Sequence, residues 1–188
     1  MSSPDLLDHG TALLCVIDIQ ERLAAAMPER EPVMEAARKL IVSARRLAVP
    51  IVVTEQYPRG IGPTEPALVE ALGDHYRPLE KLHFSCYQEA TFALRLDEAA
   101  QSGRRQVIIC GMETHVCLLQ TSLDLLDDGF QVHVAADAVC SRNAEHKRLA
   151  LEQMRHAGAV VTSVEAAVYQ MLGVAGTPEF KDLLPLYR

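Results

Sequence analysis

A chain of 188 residues, 49% hydrophobic but only 5% aromatic and without Trp, has the length of one ordinary domain and the composition of a core packed from Ala, Val, Leu and Ile. Eighteen Lys and Arg against twenty-five Asp and Glu leave a net charge of −7, which argues against a nucleic-acid surface and against a polybasic membrane patch. Five cysteines without CxxC spacing indicate neither a disulfide framework nor a Cys-type zinc site, so reduced thiols are expected.

Residues 1–5 lack the basic and apolar regions of a signal peptide, and no apolar run reaches the ~18 residues that span a bilayer, so a cytoplasmic protein is expected. Residues 11–17 form a continuous apolar run ending in Asp18-Ile19-Gln20, the pattern of a strand buried on both faces of a parallel sheet. Pro32 opens a helix whose stripe is Val33, Met34, Ala37, Leu40, Ile41, Ala44 and Leu47, at helical spacing. A second strand follows over residues 51–54. The Pro- and Gly-rich stretch 55–79, with a short helix near 65–72, reads as a functional loop and one wall of a site. Leu79-Glu80-Lys81 is a weak third strand running into His83-Phe84-Ser85-Cys86, and residues 91–101 are helical.

The fourth strand, 106–110, is followed by Gly111-Met112-Glu113-Thr114-His115-Val116-Cys117 and then by apolar positions at helical spacing. This reads as strand, tight turn and helix, with Cys117 in the first helical turn. Unpaired N–H groups and the positive dipole end there favour thiolate and lower a Cys pKa from ~8.5 toward ~3.5–7.5. A fifth strand covers 130–136, then Asp137 and a polar loop at 141–143; helix 145–157, strand 159–162 and a last helix capped by Ser163 complete the core. The tail 177–188 is expected to dock on a neighbouring copy. Six strands alternating with helices, without repeats, predict a single domain over 1–188: an α/β fold, a three-layer α/β/α sandwich around a mostly parallel, doubly wound sheet.

In such sheets ligands bind beyond the carboxyl ends of the strands, at the topological switch point. Three ionisable residues fall on that edge independently: Asp18, Lys81 and Cys117. A base for the thiol, a cation to hold the thiolate and the sulfur itself are what nucleophilic attack on an amide requires. Cys15 and Cys110 lie inside apolar strands as packing residues, and Cys86 reads as a pocket or core residue. His115 is a rival base, disfavoured because positions two apart on a helix do not share a face. Arg142 and Asp137 read as loop-fixing ion-pair partners, with Arg142 also able to grip a carboxylate in bidentate fashion.

Asp18-Ile19-Gln20, Glu80-Lys81 with Phe84-Ser85, the Gly111 to Cys117 segment, and Asp137-Ala138-Val139-Cys140-Ser141-Arg142 together resemble the isochorismatase-like cysteine hydrolases, over nearly the whole chain and most specifically around Cys117. The sequence resembles the ISOC-like and YcaC-like branch more than any branch with a defined substrate. The resemblance implies an Asp18–Lys81–Cys117 catalytic triad and a cis peptide between Met112 and Glu113. It also implies an oxyanion hole from the N–H groups of Glu113 and Cys117. Gln20, Gln56, Tyr57, Phe84 and Met112 stand as substrate-binding positions. Metal-bearing members such as nicotinamidases carry an Asp-x-His pattern after the second strand; this chain has Thr54-Glu55-Gln56-Tyr57-Pro58 there, so no metal and no cofactor are expected. The expected activity is hydrolysis of a small-molecule amide or related C–N bond through a thioester, by a homo-oligomer with no nucleic-acid or membrane partner. Two alternatives remain: vinyl-ether hydrolysis of isochorismate, against which an intact Cys117 counts, and a non-catalytic interaction protein that has kept the scaffold.

Overall fold

The computed structural model describes residues 6–188; the reading of 1–5 as lacking a leader lies outside them. The elements, in chain order, are β1 (Ala12–Ile17), α1 (Glu21–Ala24), α2 (Arg30–Arg46), β2 (Ile51–Gln56), α3 (Pro58–Ile61), α4 (Pro66–Leu72), β3 (Leu79–Lys81), α5 (Ala90–Gln101) and β4 (Gln106–Met112). They continue with α6 (Leu119–Asp127), β5 (Gln131–Cys140), α7 (Ala144–His156), β6 (Val160–Thr162), α8 (Val164–Leu172) and α9 (Pro178–Leu183). The strands form one sheet in the order β3-β2-β1-β4-β5-β6, and every pairing is parallel. Among the described residues no helix is long and apolar enough to cross a membrane.

The continuous apolar runs become strands covered on both sides because alternate residues serve opposite layers. Leu14 and Val16 of β1, with Ile108 and Cys110 of β4, face a core closed by Val33, Ala37, Leu40, Ile41 and Ala44 of α2 and by Val164 and Val168 of α8. Leu13, Cys15 and Ile17, with Val107 and Ile109, face the other core with Phe92 and Leu96 of α5, Leu125 of α6 and Met154 of α7. The winding reverses between β1 and β4, and there Ile17 lies in register with both Thr54 and Gly111. Gln56 is likewise level with Lys81. That alignment brings Asp18, Lys81 and the Cys117 turn to one end of the sheet.

Three readings change. Strand β5 runs on through Asp137 to Cys140, because Ala138, Val139 and Cys140 are buried and Asp137 Oδ1 accepts the Val164 N–H at 2.9 Å, capping the start of α8. The 55–79 segment is not an open loop. Glu55 and Gln56 extend β2, and Glu55 Oε1 accepts from Thr64 N (2.7 Å), Thr64 Oγ1 (2.7 Å) and Tyr76 Oη (2.8 Å), pinning the chain beneath α3 and α4. The C-terminal tail packs on its own chain: Arg46 of α2 pairs with Glu179 at 2.9 Å and Asp182 at 2.8 Å, Tyr187 Oη and Ser43 Oγ lie 2.9 Å apart, and Leu183 is buried.

Candidate active site

Asp18 follows β1 with a left-handed φ of 52° and is fully buried. Its Oδ1 accepts the Thr54 hydroxyl at 2.7 Å, and its Oδ2 lies 2.8 Å from Lys81 Nζ. Lys81 Nζ also donates to Gln56 Oε1 at 2.6 Å and to the carbonyls of Phe84 (3.1 Å) and His83 (3.2 Å). A buried ion pair holds when further hydrogen bonds satisfy what the partners leave open. Thr54 supplies that for the carboxylate, and Gln56 with two carbonyls supplies it for the ammonium. Burial alone pulls the Lys81 pKa down, but the negative charge of Asp18 outweighs it, so the ammonium is held above its ordinary range.

Cys117 arrives from the other side of the switch point. Strand β4 ends at Met112, the Met112–Glu113 peptide is cis, and residues Thr114–Leu118 form a π-helical turn before α6. In that widened turn the Glu113 carbonyl takes the N–H of Val116 at 3.1 Å and of Leu118 at 3.4 Å. π-Turns of this kind concentrate at functional sites. Cys117 is buried at 5% exposure, near enough to Asp18 for the carboxylate's charge to act on its thiol. The expected depression of its pKa is not found. Burial pushes the thiol well above its ordinary range, the Asp18 charge pushes it further, and Lys81 opposes both. Regular helix starts only at Leu119, so the sulfur gains less from the helix start than it loses by desolvation beside a carboxylate.

The exposed side of Cys117 forms the floor of a cavity of about 370 Å³, a volume suited to a small ligand. Leu23, Ala26, Ile61, Phe84 and Val116 make it largely apolar, with Arg22, Gln56, Glu113 and Arg142 as its polar lining. Residues 11–166 match the isochorismatase domain. The chain belongs to the isochorismatase-like hydrolase family. Isochorismatase domain-containing protein 2 of Bos taurus is 41% identical over 179 residues, covering 95% of this chain and 84% of its own. The MAR1 ribonuclease of Caenorhabditis elegans superposes with a TM-score of 0.89 at 36% identity, over 96% of this chain and 91% of its own. YcaC of Escherichia coli, described as an octameric hydrolase of unknown specificity, shares the fold with a TM-score of 0.83 at 21% identity, over 100% of this chain and 98% of its own.

Within this isochorismatase-like hydrolase the expected binding positions separate. Gln56 and Phe84 line the cavity. Gln20 does not: its amide donates to the carbonyls of Gln56 (3.0 Å) and Gly62 (2.6 Å) and accepts from Gln56 N (2.8 Å), bracing β2 against the loop. Tyr57 stands on the opposite side of the segment, half exposed, in a neighbouring groove with Arg59 and His83, and Met112 is fully buried in the α2 core. Glu113 is anchored by Arg142, whose N (2.9 Å), Nε (3.1 Å) and Nη2 (3.1 Å) surround its carboxylate. Burial would raise that carboxyl, but the Arg142 hydrogen bonds and charge hold it below its usual range. Thus Arg142 positions the Cys117 turn through Glu113.

Other candidates fall away. His115 Nδ1 lies 3.0 Å from Ser141 Oγ and its ring lies 4.8 Å from that of His146, tilted by 50°, outside the cavity lining. Cys86 sits in the core beside Phe92, pushed up to about 12 by burial and then by Asp18. Burial likewise pushes Cys110 up to about 12. Thr54, Arg22 and the apolar face of α1 were not foreseen; the one available signal was that Thr54 pairs in register with Ile17, the residue before Asp18.

Proposed function

We propose that the protein hydrolyses a small-molecule amide or related C–N bond through a covalent thioester on Cys117, with Asp18 as the proton carrier. The observation that carries this reading is one buried carboxyl that lies 2.8 Å from the Lys81 ammonium and whose charge acts on the Cys117 thiol. As the substrate carbonyl approaches, Asp18 takes the sulfur's proton and the sulfur bonds to the carbonyl carbon. The oxyanion is held on the backbone N–H groups of Glu113 and Cys117. Collapse breaks the C–N bond, and the leaving nitrogen takes the proton from Asp18 to depart as ammonia or an amine. A water then gives a proton to Asp18 and its oxygen to the acyl carbon, releasing the carboxylic acid and the sulfur, which recovers the proton. Lys81 keeps its charge throughout and stabilises first the Asp18 carboxylate, then the nascent thiolate.

The apolar, 370 Å³ cavity and the net charge of −7 support a small molecule rather than a polyanion, although a ribonuclease is named among the relatives. The dependence of the chemistry on a reduced thiol supports a reducing compartment such as the cytoplasm. The test is a panel of small amides, with an RNA oligonucleotide included, read by intact mass. An acyl adduct with at least one amide, absent in Cys117→Ala, is expected. Cleavage of the oligonucleotide without any adduct would replace this reading.

A further inference from the structure

Three cavity-lining residues carry charge: Arg22, Glu113 and Arg142. Glu113 and Arg142 are committed to each other through Nε and Nη2, and the buried Asp18 and Lys81, outside the cavity lining, neutralise one another. Arg22 has no such counterpart. It projects from α1, and its guanidinium makes a single hydrogen bond, Nη1 to the Gly60 carbonyl at 2.9 Å. No carboxylate among the described residues pairs with it. The cavity therefore holds one uncompensated positive charge on a chain whose net charge is −7. A planar guanidinium tethered through Nη1 keeps Nε and Nη2 for another acceptor, and that edge matches the two oxygens of a carboxylate.

We propose that Arg22 is a specificity-determining residue that grips a carboxylate of the substrate, so that the preferred substrates are monoamides of small dicarboxylic acids. The amide carbon meets Cys117, the short methylene body lies against Leu23, Ile61, Phe84 and Val116, and the free carboxylate reaches Arg22 without entering any bond change. This assignment rests on the amide reading above, and the experiment separates the two. Succinamate and glutaramate are compared with the neutral propionamide and butyramide, by acylation of Cys117 and by protection of Cys117 from alkylation by iodoacetamide.

In the wild type the carboxylated amides are expected to act at concentrations on the order of tenfold lower than their neutral counterparts, a ratio that shrinks as salt screens the exposed pair. Arg22→Gln, which removes the charge and keeps a polar side chain, should bring the ratio close to one. Arg22→Lys should recover part of it, and Arg59→Gln, across Tyr57 from the cavity, should keep it. A ratio of one in the wild type, or a ratio that survives Arg22→Gln, overturns the assignment. Arg22-dependent protection without any acylation would uphold the carboxylate grip and refute amide hydrolysis. Equal acylation by neutral and carboxylated amides would do the reverse.

Discussion

Gly111→Ala perturbs the point where the two halves of the site meet. Gly111 has φ 142° and lies level with Ile17, and a Cβ built on it falls 2.0 Å from the Ile17 carbonyl oxygen and 2.8 Å from the carbonyl carbon. Both clashing atoms are backbone of a central strand, so no side chain can swing aside. Restoring even the 3.0 Å minimum of real Cβ contacts parts β1 from β4 by about 1 Å, against a strand spacing of ~4.8 Å. Roughly two ladder hydrogen bonds at ~1 kcal/mol each, overpacking of ~1–3 kcal/mol and ~1–2 kcal/mol for a side chain at positive φ sum to about 4–7 kcal/mol. That is a large part of the ~5–15 kcal/mol that stabilises a typical domain. At ~2–4 °C per kcal/mol for this size, thermal unfolding followed by circular dichroism should fall by at least about 8 °C. Because Ile17 precedes Asp18, the same displacement moves Asp18 relative to Cys117, and misplacement by ~1 Å commonly costs about 100-fold in rate. A variant that melts within about 3 °C of wild type and acylates normally would refute both steps.

Asp18→Asn removes the charge that raises the Cys117 thiol; amide turnover should drop by several orders of magnitude while alkylation of Cys117 near neutral pH becomes faster, and slower alkylation would contradict the electrostatic argument. Lys81→Met removes the opposing cation, so its alkylation profile should move to higher pH. Arg142→Ala frees Glu113, whose pKa is depressed in the folded protein: the stabilisation is present above the unfolded value of ~4.3 and is lost as pH falls through the folded one. The stability difference between wild type and Arg142→Ala should therefore be full above about pH 5 and shrink on acidification, as urea titrations at several pH values would show. No group of three or more His, Cys, Asp or Glu side chains among the described residues is arranged to hold a metal ion, so activity should survive EDTA; loss reversed by zinc or iron would overturn this. Light scattering should show a homo-oligomer, since Leu82 (72% exposed) and Phe84 (55% exposed) leave apolar surface beside the cavity; a monomeric mass at micromolar concentration would refute it.

The sheet was legible because its strands are continuous apolar runs serving two cores, a pattern local enough to read from residues 11–17 or 106–110. Carboxyl-end placement then located Asp18, Lys81 and Cys117 without knowledge of any contact. What escaped depends on tertiary surroundings. Helices α1 and α3 have four residues each, too few for a periodic stripe, and α1 carries Arg22 and Leu23 into the cavity. Strand β5 was read short because Asp137 looks like a loop residue, whereas its carboxylate caps α8. Gln20 and Met112 sit beside motif residues in sequence but point into a backbone brace and a core. The C-terminal tail was expected on a partner because nothing local shows that Arg46 and Ser43 of α2 await it.

The raised thiol pKa sets how Asp18, Lys81 and Cys117 would work together in the mechanism proposed above. A site that lowered the pKa would hold a standing thiolate, and its carboxylate would be superfluous as a base. Here burial and Asp18 keep the sulfur protonated while the Asp18–Lys81 pair carries the separated charge. Proton transfer from Cys117 to Asp18 leaves that pair as a neutral acid beside an ammonium, so the Lys81 charge passes from stabilising a carboxylate to stabilising a thiolate in the same place. The total charge of the buried site is the same before and after. The transfer then becomes favourable only as the substrate carbonyl takes the sulfur's electrons, because the oxyanion moves the negative charge toward the backbone N–H groups. In the proposed mechanism thiol activation is thus coupled to substrate engagement, and Asp18→Asn separates the two: it should make the resting sulfur more anionic and the enzyme less active.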